Sequence, residues 1–163
     1  MIEITRVNAE SRAMAEDIGR IMPFLKESHD GGPIDRGYLD RTARSISSVQ
    51  LVATAWGREG DPESEELAAK YPVVGAATVS ALHGALGEKA WLEDFVVVPE
   101  ARKFKVAQGL WDAMTEWRTE KGLYQMRFNS APDKQRAHAF YYKNGCQVLA
   151  EGKTTLFVHN IEV

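Results

Sequence analysis

Phe95-Val-Val-Val-Pro-Glu-Ala-Arg-Lys-Phe-Lys-Val-Ala-Gln108 passes from an apolar strand through a basic turn into a helix. Where a helix opens, its first backbone N–H groups have no acceptor within the helix and point outward. Together with the positive end of the helix dipole they form a site for an anion. Arg102, Lys103 and Lys105 add charge there, although the turn has none of the glycines that usually let a backbone approach a diphosphate. Beyond Pro99 the apolar period becomes that of a helix, with Val106, Leu110, Met114 and Trp117 on one stripe and a stop near Gly122.

Outward from this turn the chain divides into further elements. Residues 2–7 alternate as an opening strand. Asn8, Ala9, Glu10 and Ser11 form a cap region, and Met14, Ile18, Ile21, Met22 and Leu25 share a helical face. His29-Asp-Gly-Gly-Pro33 halts that helix, and a shorter one is expected at 37–45 with Leu39, Ala43 and Ile46 facing inward. Strands follow at 49–56, 73–80 and 89–98, separated by an exposed acidic loop at 57–66 and a turn at 83–87. Connections this short predict an antiparallel meander. A fifth strand at 123–128, a helix at 132–143 ended by Gly145, and closing strands at 146–150 and 154–158 complete the order. The step from the fourth strand through a helix to the fifth is a crossover.

The chain has 163 residues, a mass of 18.2 kDa and a formal charge of −3, which fits one domain over 1–163 and argues against broad nucleic-acid binding. Cys146 is the single cysteine, so no intrachain disulfide or cysteine-rich metal site is expected. His29, His83, His138 and His159 lack metal-binding spacing, and no metal is expected. No apolar run approaches the ~20 residues that span a bilayer. The start, Met-Ile-Glu-Ile-Thr-Arg, reads as a strand rather than a signal peptide, so the expected location is the cytoplasm.

Two motifs in order carry a resemblance. Val97-Val-Pro99, Arg102 and Ala107 fit the strand end and Arg/Gln-x-x-Gly-x-Gly/Ala turn of the Gcn5-related N-acetyltransferases, with Lys105 where the first glycine usually stands and Lys103 at another position that is often glycine. One helix and one strand later, Lys134-Gln-Arg-Ala137-His-Ala-Phe-Tyr141-Tyr-Lys-Asn-Gly145-Cys146 is similar to that family's Asn-x-x-Ala-x-x-x-Tyr-x-x-x-Gly-Phe, with Ala137, Tyr141 and Gly145 in register, Lys134 replacing the asparagine and Cys146 the aromatic. The resemblance covers 73–145 and implies an α/β (α+β) fold. In that fold a mixed, mostly antiparallel central sheet is flanked by helices and opens in a cleft between the fourth and fifth strands.

The resemblance also implies a chemistry: transfer of an acetyl (acyl) group from acetyl-CoA, a cosubstrate, to a primary amine of a small molecule or protein. The turn Arg102, Lys103, Phe104, Lys105, Val106, Ala107, Gln108 would bind the cofactor's pyrophosphate through backbone N–H groups, and Lys134, Ala137 and Tyr141 would flank it. Phe95 and Val97 mark the strand segment that holds the thioester carbonyl, with Val97 the best single position. Tyr141 falls at the family's usual acid, and a phenol with a pKa near ~10 suits protonation of a departing thiolate. Glu93 and Asp94 are the candidates for a general base; strand period places them on opposite faces.

The acceptor side is less legible. The acidic residues at 59–66 are either an attraction for a cationic amine or a solvated loop. The lysine at position 105 motivates an alternative in which a non-catalytic relative uses the fold to bind a protein. A nucleic-acid role rests only on the basic turn with Lys134, Arg136 and Lys143. The assembly expected is a monomer or homodimer.

Overall fold

A computed structural model describes residues 1–8, 11, 14–25, 30–85 and 87–161. The elements run β1 (Ile2–Arg6), α1 (Ala15–Ile21), α2 (Arg36–Ala43), β2 (Ser48–Ala55), α3 (Pro62–Lys70), β3 (Val73–Gly84), β4 (Gly87–Val97), α4 (Val106–Glu120), β5 (Gln125–Ser130), α5 (Gln135–Lys143), β6 (Gln147–Ala150) and β7 (Thr155–Asn160). Short 3-10 turns occupy Met22–Phe24 and Pro99–Phe104. Among the described residues the strands form one sheet in the order β1-β2-β3-β4-β5-β7-β6, antiparallel except where β5 joins β4. This is the mixed, mostly antiparallel sheet expected.

The apolar run of β3 is buried from Val73 to Val79 because both of its faces are covered. On one face a side chain at Gly75 would come within 3.0 Å of Val106 and 3.1 Å of Leu110, so the missing Cβ lets the start of α4 lie flush against the strand. On the other face Thr78 meets α2, where the Tyr38 hydroxyl lies 2.9 Å from its Oγ1. Helices therefore flank the sheet on both sides. Leu110, Met114 and Trp117 are buried along the stripe read from the sequence, with Trp111 beside them.

Arg118, fully buried on α4, ties the helix to the far half of the sheet. Its Nε donates to Leu123 O at 3.2 Å and its Nη2 to Tyr124 O at 3.0 Å, while Nη1 lies 3.0 Å from His159 Nδ1 on β7. Burial pulls its pKa down to about 10, which still leaves a cation at neutral pH. The guanidinium thus holds the neutral backbone entering β5 and the edge of β7 together.

Three expectations are corrected. The segment 57–66 is not simply an exposed acidic loop: from Pro62 it is helix α3. Asp61 caps it by accepting from Ser64 N, Pro62 occupies the first turn beside Glu63 and Glu65, and Lys70 lies in the last. The acidity belongs to a helix start, and Leu67 docks the helix on the core. Secondly, α5 begins at Gln135 rather than at 132, after a turn. Thirdly, Ile46 is exposed rather than facing inward; in the far half of the sheet, His159 is half-buried in the β5–β7 pair. Ala9 and Glu10 of the cap region, and His29, lie outside the described residues.

His159 gives the fold an acid-sensitive seam. Burial, and next the Arg118 cation, hold its pKa below the usual 6.5. The folded state therefore binds fewer protons than the unfolded one in this range, so the contribution is complete above pH 6.5 and is lost as pH falls below it. Unfolding free energy measured by urea titration should decline from pH 7 to pH 5, and His159→Gln should flatten that slope. The carboxylates held low by their partners, Glu100 and Glu120, act in a separate window below the usual 4.5.

Candidate active site

β4 and β5 share only two rungs, Ala90–Met126 and Trp91–Arg127. Past them each strand follows its outer neighbour. β5 stays paired to β7 along all six residues, from Gln125–Asn160 to Ser130–Thr155. β4 stays paired to β3 but bulges: Ala77 faces Phe95 and Val79 faces Leu92, so Thr78 stands opposite both Glu93 and Asp94. A bulge bends its strand and increases its twist, and the strands part from this level onward. A cavity of about 790 Å³ opens between them. Alternate N–H and C=O groups of β4 beyond Trp91 face it with no neighbouring strand to satisfy them.

The anion turn closes one end. Lys105 adopts φ 59° and ψ 23°, the one non-glycine residue with positive φ among those described. The first bond of α4 runs from Gly109 N to Lys105 O at 3.0 Å. The N–H groups of Val106, Ala107 and Gln108 precede it and have no acceptor within the helix. Lysine here takes the left-handed conformation for which glycine is the natural choice, so the path of the turn does not require the glycine.

The side chains of this turn diverge. Arg102 and Ala107 line the cavity, while Lys103, Phe104, Lys105, Val106 and Gln108 do not. Lys103 pairs with Glu63 of α3. Phe104 lines a small separate pocket with Trp56, Ser64 and Leu67. Val106 is buried against β3, and Gln108 Nε2 donates to Asp112 at 2.9 Å and Asn144 at 3.0 Å, joining the start of α4 to the end of α5. Lys105 is exposed.

From α5, Lys134, Ala137 and Tyr141 reach the cavity, as do Glu93, Phe95 and Val97 from β4. Asp94 does not. It lies on the half-buried side of the bulge near Tyr38, whose pKa is raised by burial and then by the charges of Asp94 and Glu93. Tyr141 is 6% exposed, its ring centroid 4.6 Å from that of Phe128 and 5.2 Å from that of Phe157. Burial, and next the neighbouring Cys146, push its pKa up to about 12. The phenol therefore keeps its proton across the physiological range.

Several cavity residues carried no signal in the sequence. Phe24 and Leu25 arrive from the 3-10 turn after α1, and Asn129 and Ser130 from the free end of β5. Their roles depend on which loop crosses the cleft and where the strands part, and neither is a local property. Ser130 Oγ lies 3.1 Å from His138 Nε2. Among the described residues no group of three or more His, Cys, Asp or Glu side chains is arranged to hold a metal, and no helix is long and apolar enough to cross a membrane.

A central sheet whose parallel pair parts beside a helix N-terminus is the fold that the sequence resemblance implies, and the comparisons agree. A sequence profile of the acetyltransferase (GNAT) family matches residues 36–146. The chain belongs to that family. Similar solved structures include the PaiA N-acetyltransferase of Thermoplasma acidophilum in complex with coenzyme A, at 17% identity, TM-score 0.69 and 99% coverage of both chains. NAA60 of Arabidopsis thaliana in complex with acetyl-CoA has 15% identity, TM-score 0.69 and 99% coverage of both. The aminoglycoside acetyltransferase HMB0005 from an uncultured soil metagenomic sample has 17% identity and TM-score 0.72, covering 100% of this chain and 99% of that one. A search of curated protein sequences gives no significant match.

The conformation of Lys105 yields a direct test. A β-carbon in the left-handed region costs about 1–2 kcal/mol, partly offset in a glycine variant by its freer unfolded chain. Lys105→Gly should raise the unfolding free energy by about 0.5–1 kcal/mol, and Lys105→Val should lower it, in urea titrations read by tryptophan fluorescence.

Proposed function

We propose that the protein transfers an acetyl group from acetyl-CoA to a primary amine, carried by a small molecule or a protein. The observation that carries this reading is the two-rung junction of β4 and β5, which opens into a cavity ending at the free N–H groups of α4. The pyrophosphate would sit on the N–H groups of Val106, Ala107 and Gln108, with Arg102 beside it. The pantetheine arm, itself an amide chain, would take the place of the missing strand against the open edge of β4. Phe95 and Val97 would flank the thioester, whose carbonyl oxygen accepts from a β4 N–H. Lys134 and Ala137 would form the opposite wall.

In this reading a neutral amine attacks the thioester carbon, the C–S bond breaks, and the amine's surplus proton leaves through Glu93, directly or by water. Glu93 is favoured over Asp94 because it borders the cavity. Tyr141 gives its proton to the departing sulfur. Its raised pKa makes it a weaker acid than a free phenol, but the same dry surroundings also disfavour the thiolate. The left-handed Lys105 supports a working turn over a degenerate one, because the backbone keeps the glycine-like path with lysine in place.

Calorimetric titration of the protein with acetyl-CoA should show saturable binding; none would overturn the reading. With a verified amine substrate, Tyr141→Phe should lower kcat by about 100-fold and leave the KM for acetyl-CoA within about threefold. Turnover at the wild-type rate would remove the acid role. The pH profile should rise as the amine loses its proton, with no falling limb from Tyr141 below its pKa of about 12.

A further inference from the structure

Helix α3, the element that the acidic segment turned out to be, lies outside the cavity yet touches the anion turn from behind. Two ion pairs join them in opposite senses. Lys70 on the helix donates to Glu100 on the turn at 2.8 Å, and Glu63 on the helix accepts from Lys103 on the turn. Next to Lys103, Phe104 of the turn lines a small pocket together with Ser64 and Leu67 of the helix. Tyr71, directly after the helix, packs edge-on against Phe24, a cavity residue, with ring centroids 6.0 Å apart. The turn so gripped ends in Lys105, whose left-handed backbone persists only where the surroundings over-determine it.

We propose that α3 braces the anion turn, and that Glu63 and Lys70 are positioning residues that set the affinity for acetyl-CoA without touching it. This rests on the acetyl-CoA reading above. The crossed polarity is what makes the brace specific. A slide of the helix one way would carry Glu63 towards Glu100, and a slide the other way would carry Lys70 towards Lys103, so the pairs favour a single register. Neither Glu63 nor Lys70 lines the cavity. Each surface pair contributes little by itself, but the turn's N–H groups must converge on one diphosphate, and small displacements weaken several contacts at once.

Opposite charges on the helix separate bracing from a simple field effect. If only charge mattered, Glu63→Gln would strengthen binding of the anionic cofactor by removing a negative charge, and Lys70→Gln would weaken it. Bracing predicts weakening by both. The side chains are 65% and 56% exposed, so neither substitution threatens folding. In calorimetric titrations and steady-state kinetics on the full chain, each variant should raise the Kd and KM for acetyl-CoA about two- to fivefold, with kcat within about twofold of wild type. Lys70→Arg, which keeps the pair, should retain wild-type affinity. Shifts of opposite sign, or an unchanged Kd in both variants, would overturn the brace while leaving the acetyl-CoA reading intact. Absence of binding by the wild-type protein would overturn both.

Discussion

Everything at the site depends on how few hydrogen bonds join β4 to β5. Two rungs hold the strands together, and each strand then keeps faith with its outer neighbour. The gap is not an absence of β propensity, since both strands continue for several residues past the last rung. It is a competition in which the β3 and β7 ladders win and the inner ladder is given up. The bulge opposite Thr78 tips that competition, because two residues facing one bend β4 just where the second rung ends. Backbone groups left without partners in a sheet centre are costly unless something polar meets them, which is why an amide-bearing ligand suits this gap.

What replaces the lost rungs is aromatic. Phe95, Trp111, Phe128, Phe140, Tyr141 and Phe157 touch one another across β4, α4, α5, β5 and β7, with centroid separations between 4.6 and 6.4 Å. Mixed edge-on and tilted packings of this kind add to the area they bury. The cluster spans the junction, so it closes the inner end of the cavity and holds α5 against the splayed half of the sheet. The same dryness that makes the cluster cohesive holds the Tyr141 proton in place. Arg118 supplies a second tie, with a cation where the cluster uses rings.

Much of this was legible in the residues. The strand-to-helix passage at Pro99 and the Ala137, Tyr141 and Gly145 spacing identified the fold, and the apolar stripes of β3 and α4 lie where the periodicity placed them. In the segment after Gly57 the acids suggest a solvated loop by charge, but their positions make a helix start: Asp61-Pro62 followed by Glu63 and Glu65. At the site, sequence spacing identified the turn but not the directions of its side chains. Lys103 and Phe104 meet α3, whose position behind the turn is set by tertiary packing and by no local pattern in the sequence. Likewise the assignment of Glu93 to the cavity and Asp94 to its back depends on a bulge, which strict alternation cannot anticipate.

The division of the sheet also orders the chain in time. All ladder pairs among β1, β2, β3 and β4 lie within the first 97 residues, and every pair of the second half lies between Gln125 and Asn160. During synthesis the first half of the sheet has all its partners before the second begins to emerge, and α4 separates the two in sequence. The parallel join, among the described residues the one ladder that needs both halves, is also the shortest. A cleft placed at that seam lies between two walls whose internal pairing is independent, so one wall can vary in sequence without disturbing the register of the other.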